Sequence, residues 1–149
     1  MKALNLFAYG TLQANNEFDL FSNERRIVQQ AKLKNAKIYD LGCYPGLKTQ
    51  GDGAVLGELH TYLDNDRFED ILSQIDWIEG YQGRKTDLFR REVVGIELLN
   101  GERVDAFTYV YNRSMNAEQL IKSGQWQEEK LCLDIRFLDQ SDSEPQEEL

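Results

Sequence analysis

The chain has 149 residues and a formal net charge of −9. That length fits one domain, and 41% hydrophobic residues are enough to bury a sizeable core. The acidic balance argues against a nucleic-acid partner, which needs a basic stripe, and no apolar run is long enough to make a transmembrane span.

The N-terminus "MKALNLFAYG" carries one Lys and then strand-like alternation. It lacks the apolar stretch of a signal peptide, so a cytoplasmic location is the default expectation. "ALNLFAY" reads as a strand that stops on Gly10-Thr11. Residues 16 to 31 predict a short helix followed by a strand. "AKLKNAKIYDLG" mixes alternation with turn breaks, and "CYPGLKTQGDG" is dense in turn residues. "AVLGELHTYL" alternates and reads as a clear strand. His60 falls there among polar positions, which predicts an exposed ring. "REVVGIELLNGERVDAFTYVYN" predicts two strands joined at Asn100-Gly101, a strong hairpin signal. It puts Tyr109 and Tyr111 on one strand face, where such a pair packs or lines a pocket. Residues 116 to 123 predict a short helix, and "LCLDIRFL" a final strand.

The last eleven residues, 139 to 149, hold five acids and no base, which predicts a disordered tail behind a domain spanning 1 to 138. Cys43 and Cys132 lie in no metal-ligand pattern, and His60 is the single histidine. They predict two buried reduced thiols and no metal site.

One helix is well marked. In "DNDRFEDILSQIDWIEGY" apolar residues fall at Phe68, Ile71, Leu72, Ile75 and Ile78, which is helical spacing with one apolar face. Asp64, Asn65 or Asp66 can supply the N-cap, and Asp66 with Glu69 has the spacing of a capping box. Gly80 is a natural residue just past the end. Strands dominate and helices are few, so the fold class is α+β with a largely antiparallel sheet.

Glu79 breaks two local rules. It lies four residues after Ile75 and seven after Leu72, so it continues the apolar stripe. It also sits in the last turn, where the helix dipole disfavours negative charge. Burial would raise its pKa, and a carboxyl group tuned towards neutrality can take and return protons. The same pattern also allows Glu79 to bend into solvent, or to pair with Arg90 or Arg91.

The break at Gly10-Thr11 leaves backbone N–H groups unpaired. Such donors can bind an anion or a developing oxyanion, and Gly10 lets a ligand approach closely. On its own the stretch is an ordinary turn. It is neither a Walker loop nor a dinucleotide fingerprint.

"FAYGTL", "GCYPGL", "VLGELHTY", "IDWIEGYQG", "FRREVV", "YVY" and "SGQW" follow one another in an order that resembles the γ-glutamylcyclotransferase-like proteins, including the AIG2-like and γ-glutamylamine cyclotransferase branch. The resemblance covers roughly residues 4 to 126. It implies a small mixed, mostly antiparallel β-barrel flanked by a few helices, with a pocket at one end. It implies that Tyr9, Gly10, Thr11 and Leu12 bind the γ-glutamyl part of a small-molecule substrate. It makes Glu79, in the "EGY" motif, the catalytic carboxylate. Tyr44, Arg91 and Tyr109 fall in its other motifs and join the expected substrate-binding set. The implied reaction is ring closure to 5-oxoproline with release of an amine, and it needs no cofactor. One departure is Phe89, two residues before Arg91, where many members carry Tyr. Another is the "QGRKTDL" loop, where Pro-containing variants are common.

Overall fold

The computed structural model describes residues 5–10, 25–42 and 44–126. Seven strands and one α-helix occur among them: β1 (Asn5–Ala8), β2 (Arg26–Lys34), β3 (Lys37–Asp40), β4 (Pro45–Lys48), β5 (Ala54–Tyr62), α1 (Asn65–Glu79), β6 (Phe89–Leu98) and β7 (Arg103–Tyr111). Five strands close a barrel in the order β1-β5-β2-β6-β7. Only the β1–β7 seam is parallel, through Leu6 and Phe107, so the barrel is mixed but mostly antiparallel. Strands β3 and β4 form a separate two-stranded ribbon.

Local chemistry explains most of these elements. The β6–β7 hairpin turns at Asn100-Gly101, where Gly101 donates to the Leu98 carbonyl at 3.0 Å. Asn35 adopts φ 60, a left-handed conformation that Asn tolerates, and so breaks β2 from β3. Along β5 the alternation sends Val55 and Leu59 into a core shared with Phe7, Tyr9, Leu33, Ile96 and Val110.

A second core lies where α1 packs. It joins Phe68, Ile71, Leu72 and Ile75 of the helix to Leu6, Tyr62, Phe89 and Tyr109 of the barrel. Burying each such side chain is worth about 1.5–3 kcal/mol. Several together fix the helix's rotation, and that rotation carries Glu79 inward with them.

Three expectations need correction. His60 is fully buried and hydrogen-bonded to Glu58 at 3.0 Å. Alternation sets which way a side chain points, not whether that side is covered; Tyr62, two residues on, belongs to the second core. The helix expected over 116–123 is a single 3₁₀ turn at Ala117–Gln119. Beyond it Leu120 bridges to Tyr39 and the Ile121 amide donates to Ile38, so pairing with β3 overrides a weak local helix signal. The N-cap of α1 is Asp64, which accepts from the amides of Asp66 and Arg67. That places Asp66 inside the helix and removes the Asp66–Glu69 capping box.

Of the stretch 16–31, the strand from Arg26 is present, and the helix expected before it lies outside the described residues. So do Cys43, Cys132, the strand expected over 131–138 and the acidic tail.

Candidate active site

Helix α1 ends in a complete glycine cap. Gly80 takes the left-handed conformation at φ 75 and ψ 30. Its amide donates to the Trp77 carbonyl at 3.2 Å, and the Tyr81 amide to the Asp76 carbonyl at 2.8 Å. This pair of bonds is the Schellman pattern, and it fixes the residue just before the glycine. That residue is Glu79, which is only 6% exposed. It therefore does not bend into solvent. Burial and the negative end of the helix both work against its charge.

The end of α1 meets β6 and β7, where Arg91 pairs with Tyr109 across the ladder. The two side chains converge on one helix residue, Asp76. The Tyr109 hydroxyl donates to Asp76 Oδ1 at 2.5 Å, and Arg91 Nη1 donates to Asp76 Oδ2 at 2.5 Å. The Arg91 guanidinium also lies over the rings of Tyr81 and Phe107, at 5.4 and 5.3 Å. Its ion pair is thus with Asp76. Arg90 is engaged with Glu92 and Asn112.

Burial, the hydrogen bond to Asp76 and the Asp76 charge push the Tyr109 phenol well above its ordinary pKa. The Glu79 charge adds to that effect, while Arg91 opposes it. Glu79 therefore sits close enough for its field to act on Tyr109. With its proton held by Asp76, Tyr109 presents lone pairs rather than a donor.

Tyr9 and Gly10 reach the same region from the end of β1. The Tyr9 hydroxyl donates to the Tyr109 carbonyl at 2.6 Å, which ties β1 to β7. A Cβ on Gly10 would stand 2.7 Å from Pro45 Cγ, so the strand end and the start of β4 touch only because residue 10 is glycine. Tyr44 precedes Pro45, and its ring lies 6.2 Å from Phe89, which in turn lies 5.4 Å from the tilted ring of Tyr111. Phe89 is 1% exposed, so in this chain that position is a packing residue.

The structure thus brings Arg91 and Tyr109 together on Asp76, three residues before Glu79 on α1, links Tyr9 directly to Tyr109, and joins Gly10 and Tyr44 through Pro45 and Phe89. Thr11 and Leu12 lie outside the described residues. Sequence reasoning missed Asp76 and Tyr81. The available signal was spacing: Asp76 lies three residues before Glu79, hence on an adjoining face of the helix.

The loop after α1 is held by Asp87, whose carboxylate accepts from the Gln82 amide at 2.7 Å, the Arg84 amide at 3.0 Å and Arg84 Nε at 3.2 Å. These bonds, that from Gln82 foremost, hold its pKa below the ordinary value against the opposing effect of burial. Among the described residues no cluster of three or more His, Cys, Asp or Glu side chains is arranged to hold a metal. No helix among them is long and apolar enough to cross a membrane.

The family model "Gamma-glutamyl cyclotransferase, AIG2-like" matches residues 6–128. The chain belongs to this family. It is 27% identical over 123 residues to the γ-glutamylcyclotransferase family protein YtfP of Escherichia coli K12, covering 83% of this chain and 96% of that one. It is 32% identical over 122 residues to a protein of Vibrio cholerae named as a putative γ-glutamylcyclotransferase, covering 81% and 93%. An AIG2-like protein of Mus musculus shares the fold with a TM-score of 0.62 at 16% identity, over 88% of this chain and 92% of that one. Family and fold support a γ-glutamylcyclotransferase-like function on a small-molecule substrate.

Proposed function

We propose that the protein converts a γ-glutamyl-amine or γ-glutamyl amino acid into 5-oxoproline and a free amine. The reaction is an intramolecular acyl transfer. The substrate's α-amine attacks its own γ-carbonyl, the five-membered ring closes, and the amine leaves. Glu79 is the general base that takes the α-ammonium proton, and the general acid that returns a proton to the departing amine. Backbone amides at Gly10, Thr11 and Leu12 donate to the oxyanion of the tetrahedral intermediate. Arg91, Tyr109, Tyr9 and Tyr44 wall the site and fold the substrate so that amine and carbonyl meet. Tyr109, whose hydroxyl donates to Asp76, suits an acceptor role towards the substrate's ammonium. No step calls for a cofactor.

The observation that supports this reading is a nearly buried carboxylate, capped at a helix end three residues on from the Asp76–Arg91–Tyr109 cluster, in a chain of this family. A panel of γ-glutamyl amino acids and γ-glutamyl-amines, scored by product, tests it. Release of 5-oxoproline supports ring closure. Release of glutamate instead means hydrolysis. A ligand-induced rise in melting temperature without either product means a binding module of the same fold.

A further inference from the structure

We propose that Asp76 is the positioning residue for Glu79, clamping the end of α1 to the barrel so that the Glu79 carboxyl group keeps its place. The inference rests on the catalytic role proposed for Glu79, but its geometry stands apart from that role.

Asp76 acts through both its backbone and its side chain. Its carbonyl accepts the Tyr81 amide at 2.8 Å and so closes the cap that holds Glu79. Its carboxylate takes a hydrogen bond on each oxygen, from Tyr109 on β7 and from Arg91 on β6, both at 2.5 Å. Tyr81, placed by the cap, lies 5.4 Å beneath the Arg91 guanidinium. A closed circuit results: Asp76 carboxylate to Arg91, Arg91 to the Tyr81 ring, Tyr81 amide back to the Asp76 carbonyl. Three residues on from Asp76 stands Glu79. The side chains of Asp76 and Arg91 are 19% and 28% exposed, so this is a partly desolvated ion pair with charge-assisted bonds. A carboxylate is needed for this. It alone accepts on both oxygens from a cation and a phenol at once, whereas an amide would offer Arg91 a repelling NH2 or Tyr109 a second donor.

The test is a double-mutant cycle in the full chain, using whichever γ-glutamyl substrate the panel selects. Asp76→Asn is expected to lower kcat by about 10²-fold, the scale of a displaced catalytic group, with KM moved far less. In a Glu79→Gln background the same change is expected to cost no more than about twofold, because a residue that acts through Glu79 has nothing left to position. Asp76→Glu, which keeps the charge, is expected to recover part of the rate. An equal loss in both backgrounds, or a rise in KM with kcat unchanged, overturns the proposal. Amide hydrogen exchange supplies a readout free of catalysis. Exchange at Gly80 and Tyr81 is expected to quicken in Asp76→Asn while the β6–β7 ladder keeps its protection. Unchanged exchange at those two amides, or loosening of the whole barrel, overturns the clamp. If the wild-type protein turns over no γ-glutamyl compound, the proposed function fails, and the exchange measurement still decides the role of Asp76.

Discussion

Replacing Tyr109 by Phe removes one atom from the candidate site. The ring is 3% exposed and stays in place, so no cavity opens and the apolar burial is unchanged. What is lost is the hydrogen bond to Asp76 Oδ1 at 2.5 Å. Bonds to a charged partner contribute about 1.5–3 kcal/mol. Asp76 keeps Arg91 and some contact with water, its side chain being 19% exposed, so the lower part of that range applies. A loss of about 1.5–2 kcal/mol corresponds to a fall of roughly 3–8 °C in melting temperature for a domain of this size.

Thermal unfolding followed by circular dichroism at pH 7 measures the loss, with urea unfolding to confirm an unchanged m-value. Alkaline pH gives a second check. The folded-state pKa of Tyr109 is raised above its ordinary 10.0. Its contribution is therefore present below about pH 10 and is lost as pH rises further, because the unfolded chain then binds fewer protons than the native one. The wild-type protein should lose stability above pH 10 more steeply than Tyr109→Phe. A variant within about 1 °C of wild type at pH 7 refutes the view that the phenol–carboxylate bond couples helix to barrel.

Gly80→Ala forces a Cβ into a left-handed residue at φ 75 and should cost about 1–2 kcal/mol by denaturant unfolding, together with a measurable fall in kcat as Glu79 shifts. Gly10→Ala drives a methyl group against the Pro45 ring at 2.7 Å. Overpacking of this kind costs about 1–3 kcal/mol, and a thermal melt with paired kcat/KM should show both stability and activity reduced. Asp87 has a depressed folded-state pKa, so its contribution is present above its ordinary 3.8 and lost as pH falls below it. Asp87→Asn should lower stability at pH 7 and flatten the acid limb of a stability–pH profile.

The parts of the fold that were legible from sequence follow local periodicity. The helix came from its apolar spacing, the β6–β7 hairpin from Asn100-Gly101, and β5 from its alternation. Glu79 stood out because it continued an apolar face, and the structure buries it for that reason. What was not legible depends on partners distant in sequence. His60 obeys its alternation and is nonetheless buried, because a strand pattern carries no information about what covers its outer side. Leu120 leaves helical geometry to pair with Tyr39, some eighty residues away. Asp76 is not among the residues that the sequence singles out. Its meaning lies in Arg91 and Tyr109, which adjoin one another only through the register of β6 and β7. The barrel's closure, including the parallel contact of Leu6 with Phe107, is likewise a property of topology rather than of any one segment.

The central claim is that Glu79 moves the protons of a ring-closing reaction, and the most direct measurement is single-enzyme turnover to 5-oxoproline by wild type and Glu79→Gln. The glutamine is isosteric, so folding should be retained, as shown by an unchanged circular dichroism spectrum. With a γ-glutamyl substrate from the panel, kcat should fall by about 10²–10⁴-fold, the contribution of one general acid–base. A folded Glu79→Gln protein that forms 5-oxoproline at the wild-type rate contradicts the account.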